Sequence, residues 1–329
     1  GLDCLVNSDA LLQEQLNVSV DWSARSLLAF GDQHISEFYG DHDLMIIDHP
    51  HVPDAVHANA VIALEDVASN EDLDLLARTS VGASHDSYIY RGKHWALAID
   101  TAAQVSAYRP DKTSKGLVFW DEVLEAGREG LVLWPHKPVD AFSTFATLLA
   151  QKGSALCSTH EYVNKAAAAE VLTFMINLAK VVPAQCLSMN PIEAAEYLVT
   201  TDKEHYSICM YGYTNYSRDG FRTRPIVYDD VPSFDGLASG SQLGGAGIAI
   251  SSAAKNVELA AKVAILLSLP EIQSTTYVDA GGQPGNLAAW KAPHANAITR
   301  NFFNNTLRTL ERAWVRPRFL GWPDVQYQS

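Results

Sequence analysis

Residues 43–54, DLMIIDHPHVPD, set the unbroken apolar run Leu44, Met45, Ile46 and Ile47 against an abrupt polar end at Asp48, His49, Pro50 and His51. Four apolar residues without polar alternation are the pattern of a strand covered on both faces, as in a parallel sheet. Pro50 has no N–H to give to a ladder, so the strand stops before it. Polar groups therefore collect at a strand's carboxyl end, which in open α/β sheets is where ligands bind. The plainer reading, a strand followed by a polar turn, stays open on this segment alone.

The rest of the chain supplies the context. Its 329 residues exceed what one core usually fills, which predicts two lobes or domains. Hydrophobic residues make up 47% and charged residues 19%, and no run approaches the roughly 20 apolar residues that span a bilayer. With 24 Lys and Arg against 38 Asp and Glu, the formal charge of -14 repels nucleic acid and anionic lipid, so neither is expected as a partner. Cys4, Cys157, Cys186 and Cys209 show no CxxC spacing, and buried free thiols are expected, with a Cys157 to Cys186 bridge open only in an oxidising compartment. Residues 1–10 have neither a basic start nor an apolar core, so no signal peptide is visible.

Periodicity predicts a helix over 9–15 capped by Ser8 or Asp9, a strand over 18–22 (VSVDW), a helix over 26–39 and a helical region over 64–79. The stretch 93–108 starts as a strand and carries Asp100, Thr101 and Gln104 towards Arg109-Pro110, where Pro110 bars helix at the preceding residue. Helical patterns over 120–126, 139–151 and 161–180, interrupted by a short strand at 130–133, open a second lobe. A strand at 207–210 ends in Tyr211, Gly212, Tyr213, Thr214, Asn215 and Tyr216. Residues 242–250 form a glycine-rich entry into a strand, 256–269 a helix stopped by Pro270, 281–286 a tight loop, and 297–312 an amphipathic helix.

Chemistry has few footholds. His49 and His51 could offer two imidazoles to a metal, but Pro50 lies between them and no further cluster with ligand spacing follows, so hydrogen bonding to a polar ligand is the favoured role. No G-x-S-x-G, phosphate loop or dinucleotide fingerprint is present, and Gly244 and Gly245 open a strand rather than a helix. Trp134, Tyr211, Tyr213, Tyr216, Trp314 and Trp322 stand at element ends beside Pro or Gly, where aromatic faces can meet the C–H faces of sugars. Each alone is more readily a core residue than a ligand platform. Arg316, beside Pro317, could fork onto a carboxylate or sugar hydroxyls, or form an ion pair between lobes.

Six stretches carry a resemblance: residues 43–52, 92–111, 211–217, 243–273, 281–286 and 313–322. In this order, and over nearly the whole chain, they resemble the extracellular solute-binding proteins of ABC importers, in the maltose-binding-like branch linked to carbohydrates. The resemblance implies an α/β fold of the two-lobe periplasmic-binding-protein type (type II), each lobe a doubly wound sheet flanked by helices. Lobe one would hold residues 1–109 and 244–283, and lobe two 110–243 and 284–329. Position by position, Asp48, His49 and His51 match a ligand loop of lobe one, and Asp100 and Gln104 the segment before the first crossing. Trp134 and Asp140 match one contact segment of lobe two, and Tyr211, Tyr213 and Asn215 a second. Gly244 and Gly245 match the second crossing, and Arg316 and Trp322 the late aromatic contact segment. The family's first strand has no counterpart before Gly1, which predicts a truncated start, with the vacant sheet position filled by another segment or by water.

The expected function is non-catalytic capture of a small polar solute, a sugar or sugar derivative, in the cleft between lobes by hinge closure. The expected setting is extracytoplasmic after signal removal, the expected partner a membrane permease, the expected state a monomer, and no cofactor is expected. The charged and aromatic choices depart from those of maltodextrin binders, so the identity of the sugar does not transfer. The alternative is a metal-dependent hydrolase on the same scaffold using His49 and His51. A weaker one is the sensing domain of a regulator, which the acidic surface speaks against.

Overall fold

The computed structural model describes residues 2–24, 35–37 and 39–328. Its strands are β1 (Leu44–Ile47), β2 (Ile89–Tyr90), β3 (Lys93–His94), β4 (Leu97–Tyr108), β5 (Val132–Leu133), β6 (Tyr206–Tyr211), β7 (Val227–Asp229) and β8 (Leu243–Ile250). The chain packs into two units: Gly1–Thr101, Gly244–Ala295 and Pro317–Ser329 form the first, Ala102–Leu243 and Asn296–Arg316 the second. Both β4 and β8 run along the chain from one unit to the other.

In the first unit the strand order is β1, β8, β4. Residues 44–47 form the expected strand, and it is covered on both faces. Leu44 and Ile46 pack on a cluster containing Leu12, Leu97, Ile248 and Leu267, while Met45 and Ile47 belong to a second cluster with Val52, Tyr88 and Ala249. The partner differs from the parallel one expected, because β1 runs antiparallel to β8, with Leu44 opposite Ile250 and Ile47 opposite Gly247. An all-apolar strand reports cover on two faces and is silent on strand direction.

The expected strand at 18–22 is a correction. Val18, Val20 and Trp22 pack on the first cluster while Ser19 and Asp21 are exposed, but among the described residues the segment joins no ladder. Asp9 ties it down instead, accepting from Ser19 Oγ and from Val20 N at 3.0 Å. The helix expected over 26–39 lies mostly outside the described residues, and Ile35–Glu37 and Tyr39–Asp41 are single 3-10 turns.

In the second unit β4 is antiparallel to β6 and to β7, and β5 lies parallel to β6. The helix Pro191–Thr200 packs on β6, the helix Phe302–Glu311 on β7, and the helices Pro138–Gln151 and Lys165–Ala179 on each other. Local chemistry fixes their starts. Asn164 accepts from Ala167 N, and Asn190 and Glu193 satisfy each other's backbone N–H groups in a capping box.

The unit boundaries differ from the lobes anticipated. Residues 102–109 belong to the second unit because that half of β4 carries the pairing to β6 and β7. Residues 284–295 and 317–329 belong to the first, where Gly285 O accepts from Val81 N and Gly321 N donates to Asp54 Oδ1. All four cysteines are free thiols, so no bridge joins Cys157 and Cys186.

Gly245 is the position where glycine is required. Its φ of +141° is disfavoured for L residues, and a Cβ there would stand 2.5 Å from Asp100 O. Gly245→Ala should therefore cost about 1–3 kcal/mol in urea unfolding, and an unchanged midpoint would show that β8 can shift away from β4 without loss.

Candidate functional site

In the first unit, Asp48 closes the turn after β1. Its carboxylate accepts from His49 N at 2.8 Å and lies 3.2 Å from His49 Nδ1, and His49 is buried edge-on to Tyr88. His51 is half-buried at the end of the same 3-10 turn. The C-terminal helix Trp322–Gln328 packs beside that turn, so the structure brings Trp322 to the histidines across 271 residues of sequence. Trp322 is wholly buried and edge-on to Phe319.

Asp100 is occupied within its own unit. Its Oδ2 accepts from Gln283 N at 3.1 Å and from Tyr277 Oη at 3.3 Å, and burial pushes its carboxyl up to about 6 against the help of those donors. Gly244 is buried and Gly245 touches the Asp100 backbone.

In the second unit Gln104 and Trp134 bond to the helix Pro138–Gln151, which also carries Asp140. Gln104 is wholly buried: its Nε2 donates to Cys209 O and its Oε1 accepts from Thr147 Oγ1 at 2.7 Å. Trp134 is also interior, donating from Nε1 to Thr144 Oγ1 and stacked on the His136 ring at 4.3 Å. Both side chains are thus buried and engaged within their own unit.

Asp140 differs from them. It is 6% exposed, no hydrogen bond reaches its carboxylate among the described residues, and burial pushes it up to about 7. Lys137 opposes that rise and Glu193 adds to it, but Lys137 Nζ is engaged with Glu193 Oε2 at 2.8 Å.

Tyr211 stands half-buried at the end of β6, its hydroxyl accepting from Gln242 Nε2 at 2.9 Å. Tyr213 and Asn215 follow, both half-buried, at the start of the 3-10 turn Thr214–Ser217. Arg316 is buried in this unit.

Gln242, Ser143, Thr144 and Thr147 were not singled out by the sequence, yet they link these residues. Gln242 Nε2 donates to Ser143 Oγ at 3.0 Å as well as to Tyr211, and Gln242 N donates to Thr147 Oγ1. The signal was present: Ser143, Thr144 and Thr147 interrupt an otherwise apolar helix face, and Gln242 stands just before a glycine-rich apolar strand. The arrangement provides acceptors and hydroxyls for hydrogen bonding and no nucleophile with an adjacent base. Among the described residues no three His, Cys, Asp or Glu side chains converge as metal ligands, so the hydrolase alternative lacks the third ligand that His49 and His51 would need.

No family profile matches the sequence, and no curated protein does. Solved structures match the whole fold. Maltose-bound MalE3 of Thermotoga maritima is 18% identical with a TM-score of 0.77, over 99% of this chain and 88% of that one. A ribitol-bound ABC transporter solute-binding protein of Agrobacterium radiobacter is 17% identical with a TM-score of 0.81, over 98% and 87%. An ABC transporter solute-binding protein of Thermotoga lettingae bound to α-D-tagatose is 17% identical with a TM-score of 0.79, over 99% and 88%. The fold is thus the two-lobe α/β fold of periplasmic binding proteins.

Proposed function

We propose that this protein is a non-catalytic solute-binding protein of an ABC importer, which captures a neutral sugar, polyol or sugar derivative outside the cytoplasmic membrane and delivers it, as a monomer, to a membrane permease. The observation that carries this reading is the match of nearly the whole chain to structures holding maltose, ribitol and α-D-tagatose. The second unit's chemistry supports it, because Asp140, Ser143, Tyr211 and Gln242 offer hydroxyls and acceptors beside one another, which suits a polyhydroxylated solute. No helix among the described residues is long and apolar enough to cross a membrane.

A thermal-shift panel of maltose, maltotriose, ribitol, tagatose, other polyols and sugar acids tests it. A true ligand at 100 times its dissociation constant should add about 2.7 kcal/mol of stability. A flat response across the panel would remove sugars and polyols as the solute class.

A further inference from the structure

Gln242 is 1% exposed, and its Oε1 has no hydrogen-bond partner among the described residues. The orientation of the amide follows from its neighbours. Ser143 Oγ donates to Val139 O at 3.0 Å, so it has only lone pairs left for Gln242, and it therefore faces Nε2 rather than Oε1. Tyr211 Oη takes the second Nε2 proton. An oxygen buried in this way forgoes its hydrogen bond at a cost that folds do not usually leave standing.

A second unspent acceptor lies one helical turn away. Asp140 and Ser143 are three residues apart and share a helix face. Asp140 is 6% exposed, no hydrogen bond reaches its carboxylate among the described residues, and Lys137, the cation that acts on it, is held by Glu193. Two acceptors beside Ser143 thus lack a donor among the described residues, and a group that donates would satisfy both.

We propose that Gln242 Oε1 and the Asp140 carboxylate form a donor-reading subsite of the second unit, which selects the solute by two of its hydroxyls and rejects a solute that places an anion there. The inference rests on the proposed solute-binding role and adds to it the residues that set specificity. The selectivity arises from the penalty of leaving a buried polar group unpaired, so a ligand that merely lacks one hydroxyl loses far more than one contact's worth of affinity.

Calorimetric titration of the intact protein with ribitol, D-tagatose and maltose, with their monodeoxy forms, and with ribonate as the anionic counterpart of ribitol tests this. The wild-type protein should bind at least one parent compound about 30-fold or more tighter than one of its monodeoxy forms. In Gln242→Met, which keeps the side-chain volume and removes the acceptor, that ratio should fall to about 3 or less. Asp140→Asn should independently narrow the preference for ribitol over ribonate, and it decides the matter if Gln242→Met does not fold. Binding with both ratios unchanged, as expected if a trapped water satisfies Gln242, would overturn the subsite and leave the solute-binding role intact. Failure of the wild-type protein to bind any parent compound would overturn both.

Discussion

Replacing the buried Arg109 by alanine should destabilise the protein by about 3–5 kcal/mol. The Arg109 side chain is 0% exposed and stands where β4 ends. Its Nη1 donates to Leu198 O at 2.8 Å and Thr201 O at 2.7 Å, carbonyls at the end of the helix Pro191–Thr200, and its Nε and Nη2 fork onto Asp111. A cation at a helix C-terminus completes the backbone there and meets the negative end of the helix dipole. Removing it takes the donor from the buried Leu198 carbonyl, leaves Thr201 O to Arg224 Nη1 alone, and opens a cavity along the stem. Asp111 is half-exposed, so Asp111→Asn should cost under about 1 kcal/mol. Urea unfolding of the two variants separates the contributions, and equal losses would place the energy in the ion pair rather than in the helix cap.

Asp140→Asn should stabilise the ligand-free protein at pH 8 and change little at pH 4.5. The sign follows from the direction of the shift. Burial raises the folded-state carboxyl from 3.8 to about 7, so the folded protein holds this proton more tightly than the unfolded chain. Stability supplied by that proton is full at low pH, falls as pH rises between about 4 and 7, and is absent above. Asparagine mimics the protonated state at every pH. The gain at pH 8 has an upper bound of about 4 kcal/mol, from 1.36 kcal/mol per pKa unit. Asp100 titrates in an overlapping window but is present in both proteins, so it cancels from the difference. Denaturant midpoints for both proteins at the two pH values test this, and a variant effect independent of pH would mean that Asp140 is ionised and solvated in the fold. The same carboxylate should bind donors more strongly once ionised, so affinity for a polyol should rise with pH through about 7.

What was legible in the chain follows the physics of each signal. The Leu44–Ile47 strand and its stop at Pro50 were readable because an apolar run and a missing N–H act locally. The antiparallel pairing of β1 with β8 was not, since the partner lies about 200 residues away and apolar side chains carry no direction. Residues 18–22 have a strand's alternation because Val18, Val20 and Trp22 do bury one face, yet the N–H groups of Val18 and Val20 go to Leu12 O and Asp9 in place of a ladder. Local periodicity reports burial, and burial is only half of what makes a strand.

The candidate site divides along the same line. Polar and aromatic residues at strand ends, such as Tyr211 and Asp48, were visible as a type, whereas Asp140, in the first turn of a helix, entered only through the resemblance. Whether a polar side chain is already spent was not visible, because that depends on partners far along the chain. Gln104 is consumed by Cys209 and Thr147, whereas Gln242, outwardly an unremarked residue before a glycine pair, keeps one oxygen without a partner among the described residues. Composition names the donors and acceptors, and only the fold assigns them.

The central claim is that the protein grips a polyhydroxylated solute and returns it unchanged. Calorimetric titration with the tightest binder of the sugar and polyol panel, followed by NMR of the recovered ligand, tests both halves in one sample. Saturable binding with one ligand per chain and an unaltered ligand spectrum is the expected result; a ligand chemically altered at a rate set by protein concentration, or no saturable heat with any member of the panel, would contradict it.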